Sequence, residues 1–535
     1  MPEFSLFKRL NRHRMFHAVK GYRELRAKNQ LHTLKHLEEV LTNERLAPVR
    51  SSGLRGEYFI DWELSFRQFL VSRVLGLRFN KSILYSIGSG TLVRHPLPKP
   101  WRRVLESEGF KVDHFTSKLL WISVCYLYLL KGFFRSVKGV GFLTSQKCAI
   151  EKYVYFDNLV NGKSGRCFSN DISRKNIVNW YLGWKGRSPV IDYIGHNAEQ
   201  DSSLEVYGTR IKNMDPIPPL AKWEGVKYAT YLFFNLMLNL IIVPIRPHRA
   251  MLFEEISKAR RVELSCPTSL ARDYLFNNST AIYRPLWTYV AADLGSRILF
   301  YFYSTNNEPF KGEEGYPKYN IYHLMSWPHY LVWDEYQVNF LKRLDIGNPV
   351  IEDVGVIWFS SSDMEFDVLP NSIAVFDVAP VKPSLFSMQG SKIEYRTYYN
   401  ANKFLSDVLE SASKSGFSMA HKTKRTYEGT HRRYAAKLKQ LVDCSNYQYI
   451  HPSVDAFSVI QNTKATISSP FTSTAIVAKV EGKPSAYYDP TGIIKKDDRA
   501  AHGIEVLNSI DELYSWILQI DCAAQPCTKA KTLLD

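Results

Sequence analysis

The sequence predicts an α/β protein of two Rossmann-like domains that face each other across a cleft. Strand-like and helix-like segments alternate from about residue 152 onward, which is the pattern of a parallel sheet covered by helices on both faces. A second series of the same kind starts after residue 345. Several predicted strands end in polar residues, and ligands of open parallel sheets bind outside these carboxyl ends. The 535 residues are enough for two such domains.

The first predicted domain spans residues 151–345. We predict its strands at residues 152–157, 188–194, 281–283, 297–303 and 329–333. The strand at 297–303 is apolar and aromatic, as expected of a strand that is buried on both faces. One helix is predicted to follow Arg284, because Pro285 is favourable just inside a helix start, and another to end near Leu344.

The second predicted domain spans residues 346–535. We predict its strands at residues 354–359, 373–377, 417–421, 447–450, 465–467 and 485–488. Its helices are predicted at residues 402–413, 431–442, 472–480 and 510–520. Strands that mostly alternate with helices in this number are enough for one Rossmann-like domain.

Residues 1–150 precede this alternation, and we expect them to be part of the first domain or packed on it. The run from Phe4 to Phe16 predicts a basic amphipathic helix, which fits either an anionic membrane surface or packing with its basic face in solvent. Residues 119–130 are apolar but too short to span a bilayer. Residues 228–245 would span it only marginally, so we expect a buried core helix or one that dips into the membrane interface.

The composition and charge of the chain limit which classes of binding partner we expect. The formal net charge is +17, so we expect anionic partners: lipid headgroups, phosphorylated donors, acidic polysaccharide or nucleic acid. No base-stacking or helix-turn-helix pattern accompanies the charge, and nucleic acid is therefore not expected. The seven cysteines are scattered, and no signal peptide is evident. We expect a reduced, cytoplasmic protein without a structural metal.

The most informative stretch runs from Tyr449 to Ala475 and predicts strand, helix, strand and the start of another helix. The first strand ends on His451-Pro452. The second ends on a hydroxyl-rich segment that contains Ser468, Ser469, Thr472, Ser473 and Thr474. Both ends would open on the same edge of a parallel sheet. A helix start at that edge attracts anions, because its N–H groups are unpaired and its dipole is positive there.

Cationic side chains end the preceding predicted strand. Lys422, Lys424 and Arg425 follow the strand at 417–421 and could hold a donor phosphate or carboxylate. Imidazole, hydroxyls and cations at one sheet edge are what a phosphate group needs. We therefore expect this edge to bind the phosphate of a nucleotide-activated sugar.

Sugar transfer also needs a group that acts on the acceptor hydroxyl. That group is a general base for inversion or a carboxylate nucleophile for retention. We expect it to come from the first domain, where Asp192, Asp293 and Asp334 are predicted at or near strand ends. His451 is the catalytic candidate of the second domain, since it could stabilise the leaving phosphate. No Asp-x-Asp pattern suited to a metal-bound nucleotide is present, and no metal cofactor is expected.

The second strand end contains the string Pro470-Phe471-Thr472-Ser473. With it, the sequence resembles the bacterial polysaccharide-biosynthesis proteins that are named for a Pro-Phe-Thr-Ser motif. Further stretches that carry the resemblance are Arg284–Tyr289, Tyr301–Asn306, Val332–Glu335 and Phe376–Pro380. The resemblance covers roughly residues 270–490 and implies a role in the synthesis of surface polysaccharide.

A wider similarity implies the donor. Sialyltransferases and Kdo transferases of GT-B architecture carry a His-Pro motif and then a Ser/Thr pair, which both bind the CMP phosphate of their donor. His451-Pro452 followed by Ser468-Ser469, or by Ser473-Thr474, is similar in order and approximate spacing. Those enzymes hold their base in an acidic-acidic-Gly motif. The nearest strings here are residues 352–355 and 293–295, and neither matches it cleanly.

Together these features predict a metal-independent GT-B glycosyltransferase for capsule or O-antigen. Its donor would be a CMP-activated ulosonic or nonulosonic acid, and its acceptor a lipid-linked or oligosaccharide glycan. We expect it at the inner face of the cytoplasmic membrane, bound peripherally to an anionic surface. The alternatives are a UDP- or GDP-sugar donor, a polyol-phosphate transferase and a non-catalytic polysaccharide-assembly protein.

Overall fold

The structure is a computed structural model. It describes residues 3–28, 30, 32–46, 60–138, 152–157, 177–197, 204–206, 209–277, 282–305, 307–318, 320–357, 367–380, 396–423 and 431–524. Two sheets of mainly parallel strands, each with helices between its strands, follow a set of helices at the amino terminus. The predicted α/β class with two Rossmann-like domains is confirmed.

The described helices before the first strand are α1 (Glu3–Ala27), α2 (Thr33–Asn43), α3 (Trp62–Arg73), α4 (Leu77–Ser89), α5 (Lys99–Ser107) and α6 (His114–Lys138). Helix α1 crosses α4 at very short range, because a Cβ on Gly21 would lie 2.0 Å from the carbonyl oxygen of Leu84. Ala18 and Leu25 of α1 are buried. These residues lie beyond the run from Phe4 to Phe16, in which Phe16 is 66% exposed, so both interpretations of that run stay predictions.

The first sheet contains β1 (Tyr153–Phe156), β2 (Tyr193–His196), β3 (Leu204–Val206), β4 (Thr209–Asn213), β5 (Asp273–Asn277), β6 (Arg297–Tyr301), β7 (His329–Val332) and β8 (Val350–Asp353). Its helices are α7 (Ile177–Gly183), α8 (Lys222–Ile242), α9 (Pro247–Met251), α10 (Phe253–Leu264), α11 (Trp287–Asp293) and α12 (Glu335–Arg343), with short 3-10 helices at Pro267–Ser269 and Ile321–Leu324.

The strand order of this sheet is β3-β4-β2-β1-β5-β6-β7-β8, and every pair except β3–β4 is parallel. Strands β1 and β5 are buried at every position, as parallel strands covered on both faces should be. Strands β2, β4 and β3 lie on one side of β1, and β5, β6, β7 and β8 follow on its other side. The crevice between β1 and β5 is the switch point at which such sheets bind ligands.

Two predictions for this region are wrong. Ile282 and Tyr283 are not in a strand, and the strand of that region is β5, which begins on the fully buried Asp273. Arg297 pairs with this carboxylate at 2.6 Å, which is why a charged residue can start a buried strand. Strand β8 pairs with β7, so the first sheet continues past the predicted boundary at residue 345.

The second sheet contains β9 (Ser372–Phe376), β10 (Ser418–Lys422), β11 (Tyr447–Ile450), β12 (Ala465–Ser468), β13 (Ser485–Tyr488) and β14 (Glu505–Leu507). Its helices are α13 (Tyr398–Lys414), α14 (Arg432–Val442), α15 (Ala456–Gln461), α16 (Ser473–Val480) and α17 (Ile510–Ala524), with a 3-10 helix at Arg499–Ala501. The parallel order is β11-β10-β9-β12-β13-β14, so the switch point lies between β9 and β12. The strand predicted at 354–359 does not form over residues 354–357, and 358–359 lie outside the described residues; β14 was not predicted.

The two long apolar runs also differ from expectation. Residues 119–130 belong to α6, which has 25 residues, and both α6 and α8 are long and apolar enough to cross a membrane by length and composition. Of the two expectations for residues 228–245, the buried core helix is wrong for much of α8, where Phe234 is 66% and Ile241 77% exposed. A helix that dips into the membrane interface stays a prediction. Both helices bury one narrow stripe of side chains and leave the rest of their apolar surface in contact with solvent.

Candidate active site

The carboxyl ends of the two sheets face each other. The backbone N–H of Thr305, just after β6, donates to Oγ of Ser473 at the start of α16, with 3.2 Å between the atoms. Beside this contact the ring centroids of Phe310 and Phe471 lie 4.9 Å apart. Strands β6 and β12 therefore approach the junction with their carboxyl ends. This opposition of two ligand-binding edges is the predicted GT-B arrangement.

The hydroxyl-rich segment after β12 is held in place by its own side chains. The hydroxyl oxygens of Ser468, which is fully buried, and Thr474 lie 2.9 Å apart. Thr472 donates from its hydroxyl to the carbonyl oxygen of Ser469 at 3.0 Å. Helix α16 begins directly after this turn, so its amino end and the positive end of its dipole lie at the carboxyl edge of the sheet.

Phe471 explains much of the Pro-Phe-Thr-Ser string. Its φ is 61°, a left-handed conformation that residues with a Cβ rarely adopt. Its ring packs on Tyr487 with centroids 5.4 Å apart, as well as on Phe310 of the first domain. The string thus makes a strained turn, and its Phe and Ser both contact the first domain.

His451 is exposed and follows β11 directly. Its Nδ1 accepts from the backbone N–H of Ser453 at 3.2 Å, and the Ser453 hydroxyl lies 2.5 Å from the same atom. Because Nδ1 accepts, the neutral ring carries its proton on Nε2. Pro452 lies between these two residues and is half-buried. The imidazole therefore presents an N–H donor to any anion that lies over this edge.

His451 and the hydroxyl-rich segment lie at the same edge, as predicted. They were also expected to converge on one point, and they do not. Strands β10 and β9 lie between β11 and β12, which separates the two ends by about 14 Å, or three strand spacings. The register aligns Ile450, Lys422, Phe376 and Ser468 across the four strands. The residues that follow them form what we call the edge row: His451, Thr423, Asp377 and Ser469.

The predicted cations are only partly described. Lys422 is 9% exposed, and its Nζ donates to the carbonyl oxygen of Thr423 at 3.4 Å. Most of its side chain is thus packed within the second domain. Lys424 and Arg425 lie outside the described residues, and their role in binding stays a prediction.

Asp334 lies at the carboxyl edge of the first sheet, after β7, as predicted. Its Oδ1 accepts from the backbone N–H of Gln337 at 2.9 Å and so caps α12. Its Oδ2 lies 2.6 Å from Nδ1 of His502 in the second domain. Both oxygens therefore already have partners, and the contact with His502 joins the two domains.

Asp192 and Asp293 lie at the opposite edge, which corrects their predicted placement at strand ends. Asp192 precedes β2 and accepts from the backbone N–H of Lys152, which precedes β1, at 2.6 Å. Asp293 is the last residue of α11, and this helix runs back from the carboxyl edge toward the start of β6. Neither carboxylate can act on an acceptor at the domain junction.

Asp157 was not among the predicted site residues, yet it directly follows β1 at the switch point of the first sheet. Asn197 donates to its Oδ1 at 3.3 Å, and Asn277 donates to its backbone carbonyl at 3.4 Å. Burial raises the pKa of Asp157 to about 6; the Lys258 ammonium lowers this pKa and the Glu255 carboxylate raises it. A half-buried carboxyl group with a pKa near neutrality is suited to general acid–base chemistry.

The family model for polysaccharide biosynthesis PFTS motif proteins matches residues 232–517 of the 535. The chain belongs to this family. The resemblance based on Pro470-Phe471-Thr472-Ser473 is thereby confirmed, and the match extends from α8 to α17. No protein with a curated description matches the sequence.

Solved structures give weaker matches to this family member. A mutant of TarM from S. aureus, in complex with fondaparinux, alpha-GlcNAc-glycerol and UDP, has a TM-score of 0.30 at 10% identity over 50% of this chain and 52% of that chain. The match thus spans about half the length of TarM. UDP-GlcNAc 2-epimerase from Methanocaldococcus jannaschii, in complex with UDP-GlcNAc and UDP, has a TM-score of 0.29 at 10% identity over 69% and 91% of the two chains. Because both TM-scores are low, the fold is assigned from the strand order and register and not from these matches.

Asp377 of the edge row forms a buried carboxylate–imidazole pair. Asp377 follows β9 at the second switch point, and its Oδ1 lies 3.3 Å from Nε2 of the fully buried His421. The hydroxyl of Tyr434 donates to the other carboxylate oxygen. Nδ1 of His421 lies 2.8 Å from the hydroxyl of Tyr447. These residues, which were not among the predicted site residues, lie where β9 and β10 end.

Groups of three or more His, Cys, Asp or Glu side chains that could hold a metal ion do not occur within the described ranges. The acidic pair Asp497 and Asp498 instead contacts the first domain. Lys311 pairs with Asp497 through its ammonium group and donates from its backbone N–H to Asp498 at 2.8 Å. Whether the reaction needs a metal stays a matter of prediction.

Proposed function

We propose that the protein is a glycosyltransferase of capsule or O-antigen biosynthesis. It transfers an ulosonic or nonulosonic acid from a CMP-activated donor to a glycan acceptor. The observation that supports this most strongly is the opposition of two Rossmann-like carboxyl edges at the contact of Thr305 with Ser473, in a member of a polysaccharide biosynthesis family. Two such edges can hold a donor and an acceptor on opposite sides of the reacting carbon.

In this proposal the donor phosphate lies over the ends of β9 and β10. Nε2 of His451 reaches it from one side, and the N–H groups and hydroxyls of Ser473 and Thr474 reach it from the other. Each of these groups is about one to two strand spacings, or roughly 5–10 Å, from that position before side-chain reach is counted. The phosphate is thus bound by uncharged donors and a helix dipole, and the proposal needs no metal ion.

Asp157 is the proposed general base. It lies on the opposing edge, and its raised pKa keeps it basic enough to accept a proton yet ionised at pH 7. It would take the proton of the acceptor hydroxyl as the oxygen attacks the anomeric carbon. The bond from that carbon to the donor phosphate breaks, and CMP leaves with its charge stabilised by His451 and the start of α16.

The acceptor is proposed to be a lipid-linked or oligosaccharide glycan. The net charge of +17 and the exposed apolar surfaces of α6 and α8 favour a peripheral position at the inner face of the cytoplasmic membrane.

Donor hydrolysis tests this function. The purified full chain is incubated with CMP-, UDP- and GDP-linked sugars, and release of the nucleotide is measured. Release of CMP that is lost in His451→Ala supports the proposal. Release of UDP or GDP alone, or a phosphodiester product from a CMP-polyol, would contradict the assigned donor and reaction. Polymer synthesis that is unchanged in cells carrying His451→Ala would contradict the catalytic role.

A further inference from the structure

A cationic pocket lies at the carboxyl edge of the first sheet. Its volume is about 180 Å³, several times the roughly 30 Å³ that one water molecule occupies in the liquid. The charged lining residues are Arg135, Lys138, Lys258, Arg261 and Asp215. Glu254 and Glu255 also pair with lining cations, and Asp215 pairs with Arg261 at 3.5 Å. Four cations against three carboxylates leave an excess of one positive charge, so the pocket favours an anion.

The pocket is built by a close packing of α6 on α10. A Cβ on Gly132 of α6 would lie 3.0 Å from the backbone nitrogen of Glu254, so any larger residue would push the two helices apart by a few tenths of an ångström. Glu254 then pairs with Arg135 at 3.3 Å and with Lys258 at 2.9 Å, which holds both cations in the wall. Arg261 donates to the carbonyl oxygen of Ile217 at 2.7 Å and fixes the loop after β4. Arg135, Lys258 and Arg261 are thus positioned before any ligand arrives.

One end of an exposed apolar surface adjoins this pocket. Helices α6 and α8 run antiparallel, because Tyr126 donates to the carbonyl oxygen of Leu240 at 3.1 Å, while Ser136 and Tyr228 both line the pocket. The exposed apolar side chains of the two helices are Phe115, Leu119, Leu120, Leu127, Leu130, Phe134, Val137, Trp223, Val226, Phe233, Phe234, Met237, Leu238 and Ile241. We call this surface the apolar face. A soluble monomer rarely exposes so many large apolar side chains together.

Basic side chains accompany the apolar face. Lys118 and Lys131 on α6 and Lys222 and Lys227 on α8 are exposed. An apolar surface bordered by lysines is complementary to a bilayer with anionic headgroups, since the apolar groups enter the acyl region and the ammonium groups remain at the headgroups. This charge pattern favours a lipid surface over a second protein as the occupant.

The pocket also adjoins the proposed base. Asp215 follows β4 on the same edge as Asp157, and Lys258 and Glu255 on α10 are close enough to Asp157 to shift its pKa. The apolar face, the cationic pocket and the proposed base therefore lie in this order along the molecule. A phosphorylated lipid that carries a glycan has its chain, its phosphate and its sugar in the same order.

We propose that the cationic pocket binds the phosphate of a lipid-linked acceptor whose hydrocarbon chain lies against the apolar face at the membrane surface. This inference deepens the proposed function and rests on it, since it names the class of acceptor.

Vesicle flotation of the full chain tests the proposal. Phosphatidylcholine vesicles contain either a polyprenyl phosphate or phosphatidylglycerol at matched surface charge. The wild-type chain is expected to bind the polyprenyl phosphate vesicles about tenfold more tightly. Equal binding to the two would overturn the pocket assignment.

Paired variants of α6 separate the pocket from general charge. The double variant Arg135→Gln/Lys138→Gln is expected to abolish the preference for polyprenyl phosphate vesicles. The double variant Lys118→Gln/Lys131→Gln removes the same charge from the same helix and should retain that preference. Phe234→Ser with Ile241→Ser is expected to weaken binding to both kinds of vesicle at least fivefold. A preference that survives in the pocket variant would overturn the proposal. CMP binding, measured by calorimetry on the same preparations, reports on the donor site separately.

Discussion

Ser473, the last residue of the Pro-Phe-Thr-Ser string, accepts a hydrogen bond from the backbone N–H of Thr305 across the domain junction, at 3.2 Å. The string therefore serves the junction as well as the start of α16. Because the contact joins the carboxyl ends of β6 and β12, it fixes the distance between the two edges at one point. Any ligand held by α16 is thereby held next to the first domain.

Removal of this hydroxyl should loosen the junction. Ser473→Ala leaves the N–H of Thr305, which is 3% exposed, without its acceptor, and we expect a loss of about 1–3 kcal/mol in the free energy of unfolding. Ser107→Ala is the matched control, because that hydroxyl is on an exposed residue and donates to the carbonyl oxygen of Val104, three residues earlier in the same helix. Chemical denaturation of both variants measures the difference. Equal stability of the two would show that the contact contributes nothing.

Phe471 allows a test of backbone strain. Its φ of 61° suits glycine better than alanine, by about 1–2 kcal/mol, while both substitutions lose the ring packing on Phe310 and Tyr487. We expect Phe471→Ala to lose about 3–5 kcal/mol of stability and Phe471→Gly to lose less. Thermal unfolding of the two variants gives their order. An alanine variant more stable than the glycine variant would contradict a left-handed residue at this position.

His451 should act on the leaving group. His451→Ala removes the Nε2 donor, and we expect kcat to fall about 100-fold, as for other donors to a developing anion. The KM for the acceptor should change little, since the imidazole lies on the donor side. His36→Ala is the control, because His36 is exposed on α2 and pairs only with Glu108 at 2.9 Å among the described residues. A loss of activity in the His36 variant as well would indicate a general defect.

The pH dependence of the reaction should report Asp157. A general base works only when ionised, so kcat/KM should fall about tenfold per pH unit below pH 6, where Asp157 becomes protonated, and level off above it. Asp157→Asn should lose most of its activity, and the remaining kcat/KM should no longer fall below pH 6. Asp334→Ala should keep this fall below pH 6 but lower stability by about 1 kcal/mol, because it removes the cap of α12. If the fall in kcat/KM below pH 6 disappears in the Asp334 variant instead, Asp334 rather than Asp157 is the general base.

Hydrophobic alternation was sufficient to predict both Rossmann-like domains but not every strand. Strands such as β6 and β9 are long apolar runs and were found. Strand β5 was missed because it begins on Asp273, whose charge is stabilised by Arg297 and by the hydroxyls of Ser188, at 2.9 Å, and Tyr181, at 2.5 Å. Those partners are distant in sequence. Strand β14 has three residues, too few for a periodic signal.

The position of His451 and of the Ser/Thr segment at strand ends was predictable, whereas the distance between them was not. The sequence identifies His451 and the Ser/Thr segment as strand ends, but neighbouring strands in a sheet need not be neighbours in the chain. The order β11-β10-β9-β12 spreads the residues into a row. Asp157 was passed over because its distinguishing property is a pKa that depends on burial and on α10, although its position after the first strand of an α/β series was a usable signal.

A crystal structure of the protein with bound CMP tests the central claim most directly. The account predicts that the nucleotide phosphate accepts a hydrogen bond from Nε2 of His451 or from the first N–H groups and hydroxyls of α16, at Ser473 and Thr474. A phosphate bound elsewhere, with no contact to His451 or to residues 468–474, would contradict it.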